Sequence, residues 1–107
     1  MQVRTDRELV EAIQRGDVFA FEALVKRYQR GLLSFAYRLL HDEAGAQEVV
    51  QDALFYVYQT IERVDPTKKF STYLFEITKN AAISILRARK KEVSLEEIAG
   101  AEEDESL

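Results

Sequence analysis

Residues 68–91 read KKFSTYLFEITKNAAISILRARKK, a segment with apolar residues at three- and four-residue spacing and a basic cluster at its end. This period predicts an amphipathic helix. A helix that is apolar on one side and cationic and amide-bearing on the other is one means by which a small domain contacts nucleic acid. The side predicted to be buried carries Leu74, Ile77, Thr78, Ala81, Ile85 and Leu86.

Charge is unevenly distributed around this segment. The chain has a net charge of −4, yet residues 63–91 hold eight basic groups against two acidic ones. Residues 92–107 hold seven acidic groups and no Lys or Arg. A basic helix indicates a phosphate-bearing partner. The small and acidic residues that follow it predict a disordered tail.

The composition is that of one globular domain. With four glycines and one proline in 107 residues, long helices are favoured over a multi-stranded sheet. The absence of cysteine excludes disulfides and thiolate metal sites. No apolar run approaches the roughly 20 residues of a membrane span, and the N-terminus lacks the apolar core of a signal peptide. We therefore expect a cytoplasmic protein with no membrane association.

Three further helices are predicted ahead of residue 68. Asp6 is the expected N-cap of the first, which Gly16 ends, and Asp17 is the expected N-cap of the second. The second ends at His41-Asp42, and the third continues to about Val64. The apolar stripe of the second helix contains Phe21, Leu24, Val25, Tyr28, Leu32, Phe35, Ala36 and Leu39, and that of the third contains Ala46, Val50, Ala53, Leu54, Val57, Ile61 and Val64.

The third and fourth helices are separated by a predicted turn at residues 65–69, because Pro66 disfavours helix at the residue before it. Ser71 or Thr72 is then the expected N-cap of the fourth helix. The predicted fold is a compact all-α bundle of about four helices over residues 1–91. Residues 92–107 are predicted to form a disordered acidic tail outside it.

Catalytic chemistry finds little support in the sequence. His41 is the single histidine, and we expect it to interact with the carbonyls of a helix end. No Glu-x-x-His pair suggests a di-metal site, and no glycine-rich loop suggests phosphate binding. A small hydrolase is accordingly disfavoured, and we expect no enzyme activity, metal or cofactor.

One polar stripe on the third helix has two interpretations. Its members lie opposite the apolar side, and an aromatic residue stands among carboxylates and amides. The stripe is either a solvated face or a protein-docking patch, and the residue pattern leaves both open. It consists of Glu48, Asp52, Phe55, Gln59 and Glu62, with Gln51 beside it.

The outer face of the fourth helix also has two interpretations. Asn and Arg can pair with base edges, Lys with phosphate, and aromatic rings can stack on unpaired bases. Alternatively, Phe70 and Tyr73 belong to the core and the basic cluster complements a helix C-terminus. The residues concerned are Glu76, Asn80, Ile83 and Arg87, flanked by Lys79 and Ser84, with Phe70 and Tyr73 beside Lys68 and Lys69.

Two segments resemble a known family. Residues 70–80, FSTYLFEITKN, resemble the F-x-T-W-L-x-x-I-x-x-N run of bacterial extracytoplasmic-function (ECF) sigma factors of the sigma-70 family. Residues 46–52, AQEVVQD, resemble their A-E-D-L-V-Q-D/E segment. The first two helices also fit, so that the resemblance covers roughly residues 6–91 in order and corresponds to the region 2 domain.

This resemblance implies a role in transcription initiation. Region 2 docks on the clamp helices of the largest subunit of core RNA polymerase, a role that falls on Glu48, Gln51 and Asp52, with Phe55 and Gln59 as extensions of the stripe. It also recognises and helps melt the promoter −10 element, mainly through the non-template strand. The implied DNA-binding residues are Lys68, Lys69, Phe70, Thr72, Tyr73, Lys79, Asn80, Ile83, Ser84 and Arg87.

The resemblance also implies further partners. Such factors are commonly inhibited by an anti-sigma factor, and the acidic tail resembles the linker toward a region 4 domain that is absent here. Tyr73 stands where the family usually has Trp, so strand opening would use different aromatics. Ser84 stands where the family often has Asp, which implies different local hydrogen bonding or base preference. The rival function is a helical protein-interaction module that does not bind DNA.

Overall fold

A computed structural model describes the backbone of residues 3–105 and the side chains of residues 3–97. That part of the chain contains four α-helices and no strand, which confirms the all-α prediction. The elements in order are α1 (Asp6–Gln14), α2 (Val18–Leu40), α3 (Glu43–Gln59), a 3₁₀ turn (Ile61–Arg63) and α4 (Phe70–Glu105).

The N-terminus of α1 is fixed by a capping box. Thr5 is the N-cap: its Oγ1 accepts a hydrogen bond from the Glu8 N–H at 3.1 Å, and Glu8 Oε1 accepts from the Thr5 N–H at 3.0 Å. The predicted cap, Asp6, is therefore wrong by one residue. Asp6 is the first helical residue, and its carboxylate is engaged by side chains of α2 instead.

The turn from α1 to α2 follows the sequence prediction. Gly16 has φ +97°, a backbone conformation that L-residues with a Cβ rarely adopt. Asp17 caps α2 with its Oδ1, which accepts from the Ala20 N–H at 3.2 Å. At the other end of α2, His41 has φ 52° and its N–H donates to the Tyr37 carbonyl at 2.7 Å. His41 is exposed and is the C-cap of α2.

The third helix ends earlier than predicted. Helical geometry stops at Gln59 instead of Val64, and Thr60 Oγ1 donates back to the Tyr56 carbonyl at 2.7 Å. The chain then forms the 3₁₀ turn, and a side chain of α1 donates hydrogen bonds to carbonyls of this connection. Gln14 Nε2 donates to the carbonyls of Ile61 and Val64, at 2.9 and 2.8 Å. This tertiary contact satisfies the backbone acceptors of the connection.

The fourth helix begins at Phe70, so Ser71 and Thr72 lie inside its first turn and neither is the cap that the sequence predicted. The chain enters this helix through the turn at residues 65–69, as Pro66 predicts. Because α2 packs against α1, α3 and α4, it is the central helix of the bundle.

The core lies between these four helices and is closed by residues from each. The predicted apolar stripes are largely right, with several additions and one correction. Val49 and Ala82 are fully buried although the sequence analysis did not place them inside, and Leu86 is 38% exposed although it did. The buried set includes Leu9, Val10, Ala12, Ile13, Leu24, Leu32, Ala36, Val49, Val50, Val57, Leu74, Thr78 and Ala82.

The backbone of α4 continues well past Lys91, where the sequence predicted the bundle to end. Every side chain from Glu92 to Glu97 is exposed, so this segment does not pack on the bundle. The long helix gives the molecule principal extents of 71 × 24 × 21 Å. A helix without tertiary packing is only marginally stable in water. Residues 92–97 therefore lie outside the packed core, and the domain boundary at residue 91 stays a prediction.

Candidate nucleic-acid interface

The outer side of α4 carries most of the residues predicted to bind DNA. Leu74, Thr78 and Ala82 turn toward the core, and at 100° per residue this directs the opposite face to solvent. We call that face the reading face. Thr72, Asn80, Ser84 and Arg87 are exposed on it, and Tyr73, Lys79 and Ile83 are half-buried at its edges.

A small cavity lies where the turn meets the start of α4, and we call it the turn cavity. Its volume is about 230 Å³. Two lysines, Lys68 and Lys69, are exposed at this site, and aromatic rings form part of the wall. Positive charge beside an aromatic surface suits an unstacked base and its phosphate. The complete lining is Arg63, Val64, Asp65, Lys68, Lys69, Phe70 and Tyr73.

Phe70 occupies a different place from the other predicted DNA-binding residues. It is only 5% exposed and belongs to the hydrophobic core. Its ring packs on Tyr28 and Tyr73, with centroid distances of 6.0 and 6.3 Å. In this structure Phe70 therefore forms part of the wall of the turn cavity and offers no free face for stacking, whereas the half-buried Tyr73 has accessible ring surface.

The turn ahead of α4 is held by Asp65. Its Oδ1 accepts hydrogen bonds from the Thr67 N–H at 2.9 Å and from Thr67 Oγ1 at 2.6 Å. The hydroxyl and then the N–H of Thr67 hold the pKa of Asp65 below its ordinary value. The carboxylate therefore stays ionised at neutral pH and keeps its two hydrogen bonds to Thr67 in the turn that carries Lys68 and Lys69.

The basic residues of α4 are not equivalent. Lys79 Nζ lies 3.1 Å from Glu76 Oε1, so its charge is partly compensated on the reading face. Arg89 turns to the other side of the helix, where its Nη2 donates to Asp42 Oδ2 at 2.7 Å. Arg87 is exposed, and among the described side chains it makes no ion pair. Arg87 is therefore available to a phosphate, while Arg89 is engaged within the fold.

The second predicted surface lies on α3. We call it the docking stripe, and all its members are exposed: Glu48, Gln51, Asp52, Phe55 and Gln59. Phe55 is 62% exposed, a large apolar surface for a side chain surrounded by polar groups. Within the described part of the chain these residues form no salt bridge or side-chain hydrogen bond.

An open groove adjoins the docking stripe at the C-terminal end of α3. Its volume is about 520 Å³, and Phe55 and Gln59 belong both to the stripe and to its lining. Val18, at the start of α2, and Tyr58 add further exposed apolar surface. Exposed apolar groups gathered beside a groove are typical of a protein-binding surface. The stripe thus has the features of a docking patch, and its role as one stays a prediction.

The structure adds residues that the sequence analysis did not assign to a site. Arg63 and Asp65 line the turn cavity, and Tyr28 packs behind Phe70. The Asp-Pro-Thr order is a turn signal from which the position of Asp65 could have been predicted. No local signal connects Tyr28 with Phe70, because they are far apart in the chain.

No group of three or more His, Asp or Glu side chains able to hold a metal ion occurs among the residues described. None of the described helices combines the length and hydropathy that a membrane crossing needs.

Comparison with known proteins identifies the domain. The family model described as Sigma-70 region 2 matches residues 24–92, which is more than half of the chain. The chain belongs to the sigma-70 region 2 family. The predicted resemblance is therefore confirmed, and the match includes both the docking stripe and the reading face.

Curated relatives of this region 2 domain carry sigma-factor names. The RNA polymerase sigma-H factor of Pseudomonas aeruginosa is 39% identical over 84 residues, 78% of this chain and 44% of that protein. The ECF RNA polymerase sigma factor SigW of Bacillus subtilis is 31% identical over 97 residues, 90% of this chain and 52% of that protein. The chain thus spans about half the length of these relatives.

Solved structures share the fold. An engineered region 2 of sigmaE, solved by NMR in complex with GTAAAA, has a TM-score of 0.78 and 36% identity, and the match covers 86% of this chain and 97% of that one. CnrH in complex with the cytosolic domain of CnrY has a TM-score of 0.72 and 28% identity, with 83% and 60% covered.

Proposed function

We propose that this region 2 domain docks on core RNA polymerase and recognises and helps to melt the promoter −10 element. The observation that carries the proposal is that two unlike surfaces are exposed on one small bundle. The reading face and the turn cavity present Lys, Arg, an amide and an aromatic ring, whereas the docking stripe presents carboxylates, amides and Phe55. Neither surface holds catalytic machinery, and we assign no reaction or cofactor to the domain.

The reading face supports an interaction with an opened strand. A base that has left the duplex exposes its Watson–Crick edge and both of its faces, so an amide can read the edge while an aromatic ring stacks. Asn80 and Tyr73 provide those two groups about two turns apart on α4, and Lys68 and Lys69 provide charge for the backbone. The engineered sigmaE region 2 that this chain resembles was solved in complex with GTAAAA.

The docking stripe supports a protein partner of basic character. Glu48 and Asp52 lie one turn apart on α3, and Phe55 lies on the same side as Asp52. A basic helix would meet carboxylates for orientation and an exposed ring as an anchor. The clamp helices of the largest polymerase subunit are the partner that family membership suggests. We infer that a domain bound to this polymerase acts in the cytoplasm.

The DNA half of the proposal is tested with a short single-stranded oligonucleotide containing GTAAAA. We expect Asn80→Ala to weaken binding about tenfold through the lost base contact. We expect Arg87→Ala to weaken binding. It should also lower, by about one, the slope of the logarithm of the binding constant against the logarithm of the salt concentration. Fluorescence anisotropy over a series of salt concentrations measures both. Unchanged affinity in both variants would contradict the assigned reading face.

The polymerase half is tested by binding to core RNA polymerase and to its isolated clamp helices. We expect Asp52→Lys to weaken binding about tenfold or more, because it places a cation opposite a basic partner. Glu22→Lys, an equal charge change at an exposed site outside the docking stripe, is the matched control and should bind normally. If Asp52→Lys and Glu22→Lys bind alike, the docking stripe is not the interface.

A second function is a protein-interaction module in which both surfaces meet proteins, for example an anti-sigma factor. The observation in its favour is that CnrH, a structural relative, was solved in complex with the cytosolic domain of another protein. A pull-down with core polymerase in the presence and absence of −10 DNA separates the two functions. If the domain is pulled down with core polymerase and the −10 DNA stays bound to it, the result supports the promoter-recognition function.

A further inference from the structure

A network of side chains joins α1 to the start of α4. The carboxylate of Asp6 accepts two hydrogen bonds from α2: Oδ1 from Arg27 Nη1 at 2.7 Å, and Oδ2 from the hydroxyl of Tyr28. Arg27 Nη2 also donates to the carbonyl of Arg4 at 2.6 Å. Both oxygens of Asp6 are thus committed, and the hydroxyl of Tyr28 is held at one point of α1.

The ring of Tyr28 connects Asp6 with the aromatic residues that line the turn cavity. It packs edge-on against Phe70 at a centroid distance of 6.0 Å, and Phe70 in turn packs against Tyr73 at 6.3 Å. Phe70 and Tyr73 both line the turn cavity. The series Asp6–Tyr28–Phe70–Tyr73 therefore runs from the first residue of α1 to a wall of the cavity.

The hydroxyl of Tyr28 remains a donor under ordinary conditions. Burial raises the pKa of Tyr28 to about 12, and the hydrogen bond to Asp6 adds to the shift. A phenol that donates to a carboxylate forms a charge-assisted hydrogen bond, which is shorter and more directional than a neutral one. The orientation of the ring is thus set by α1 as well as by the surrounding core.

The position of this contact distinguishes it from ordinary core packing. Phe70 is the first residue of α4, and its ring meets Tyr28 on one side and the cavity on the other. A binding site keeps its geometry only when the residues behind it are fixed within about half an ångström. A shift of Tyr28 would be transmitted directly to the wall that an unstacked base contacts.

We propose that Tyr28 is a positioning residue of the turn cavity, and that α1 takes part in reading the −10 strand through the contacts among Asp6, Tyr28 and Phe70. The proposal rests on the DNA-binding function proposed above. Asp6 precedes residues 24–92, which the family model matches, so family membership assigns no role to this end of the network.

The test uses the full chain with Tyr28→Phe, which keeps the ring and removes only the hydroxyl. We expect binding of single-stranded GTAAAA to weaken about fivefold, less than the roughly tenfold or more that losing a direct hydrogen bond to a charged group would cost, because the hydroxyl acts on DNA only through the cavity wall. Binding to core polymerase should not change. Tyr37→Phe is the matched control, because Tyr37 is 50% exposed on the same helix and its hydroxyl makes no hydrogen bond among the described residues.

Two further measurements separate positioning from a loss of stability. In the double variant with Tyr73→Ala, the Tyr28→Phe effect on DNA affinity should largely disappear, because both residues act through the same wall. In the NMR spectrum of the free protein, Tyr28→Phe should shift the ring signals of Phe70 and Tyr73 more than those of Phe55. Asp6→Ala, which removes the acceptor, should reproduce both effects.

The outcomes are distinguishable. Equal losses of DNA and polymerase binding, in step with a lower unfolding temperature, would show that Tyr28 is merely structural and would overturn the proposal. Unchanged ring signals of Phe70 and Tyr73 would also overturn it. If the unmodified protein fails to bind single-stranded DNA, the proposed function fails, while the ring signals still decide whether α1 positions the cavity wall.

Discussion

Two arginines two positions apart on α4 have different roles because a helix turns by about 100° per residue. Arg87 lies on the reading face, whereas Arg89 crosses to the α2–α3 connection and pairs with Asp42. Gly45 lies beneath this pair: a Cβ at that position would lie 2.7 Å from Asp42 Oδ2 and 2.9 Å from Arg89 Nη2. A basic cluster in the sequence therefore contains both a binding group and a structural one.

The first prediction concerns Arg89→Ala. We expect a small loss of thermal stability, roughly 1–4 °C in Tm, because the ion pair is more than one-third exposed and is screened by solvent. Binding of single-stranded DNA should fall much less than in Arg87→Ala. Thermal unfolding by circular dichroism and anisotropy binding of the two variants give the comparison. Equal DNA-binding losses would contradict the assignment of Arg89 to the fold.

Gly45→Ala provides an independent check on the same contact. The methyl group would force Asp42 and Arg89 apart, although alanine itself is favoured in a helix by about 1 kcal/mol over glycine. NMR signals of the Arg89 guanidinium should therefore shift toward those of a free side chain. A signal unchanged from the unmodified protein would show that the ion pair tolerates the methyl group.

At the scale of elements, the decisive feature is the connection between α3 and α4. Pro66 and Asp65 shape the turn locally, and Gln14 holds its start from α1 through the carbonyls of Ile61 and Val64. Because the lysines of the turn cavity follow directly, the geometry of the connection fixes where positive charge meets the start of α4. The connection is thus part of the candidate site.

The second prediction concerns the pH dependence of this turn. The folded-state pKa of Asp65 lies below its unfolded-state value of about 4, because Thr67 donates to the carboxylate. The hydrogen bonds that the ionised Asp65 carboxylate accepts therefore stabilise the folded state fully above about pH 4. This contribution is lost as the pH falls through the lower folded-state pKa. The amide proton shift of Thr67, followed by NMR between pH 7 and pH 2, should titrate with a midpoint below 4.

Asp65→Asn is the control for that titration. Asparagine can still accept a hydrogen bond from Thr67, but it has no ionisable group in this range. The Thr67 amide shift should then show no midpoint in the acid range. A midpoint at or above 4 in the unmodified protein would mean that the turn does not favour the carboxylate form.

At the scale of the whole molecule, charge is separated along the sequence. The bundle over residues 1–91 holds 15 basic and 12 acidic groups, whereas residues 92–107 hold seven acidic groups and no basic one. Glu92–Glu97 extend from the bundle as exposed side chains on α4. The acidic segment follows the basic residues that would approach DNA, so it repels the same phosphate backbone at low ionic strength.

The third prediction concerns a chain shortened to residues 1–91. We expect its Tm to stay within about 2 °C of the full chain, because the removed segment contributes no packed core as far as Glu97. Its affinity for single-stranded DNA should rise at low salt, and the difference should disappear near 1 M salt, where the Debye length is about 3 Å. A large fall in Tm would show that the segment packs on the bundle.

A variant with neutral glutamines at Glu92, Glu96 and Glu97 separates charge from length. It should reproduce part of the low-salt gain of the shortened chain while keeping the segment. An unchanged affinity in this variant, together with a gain on truncation, would assign the effect to excluded volume instead of electrostatic repulsion.

Much of the fold and part of the site could be predicted because they depend on local order in the chain. The spacing of apolar residues fixes which face of each helix is buried, and Gly16, Asp17 and Pro66 fix turns through their own backbone or side-chain properties. Helical spacing likewise predicted that Asn80 and Arg87 share one outer face. The motifs of residues 46–52 and 70–80 identified the family, which the comparison confirms.

The remaining features depend on contacts between residues distant in the sequence. Phe70 is buried while Tyr73 stays accessible, because α4 lies against Tyr28 of α2. Arg89 leaves the basic cluster because Asp42, 47 positions earlier, lies opposite it. Periodicity specifies which side of a helix faces inward, but only the packing of the helices determines which partner each side chain meets. The sequence by itself therefore determined the helices, their faces and the family, while the tertiary structure decided which aromatic and basic groups remain free to bind.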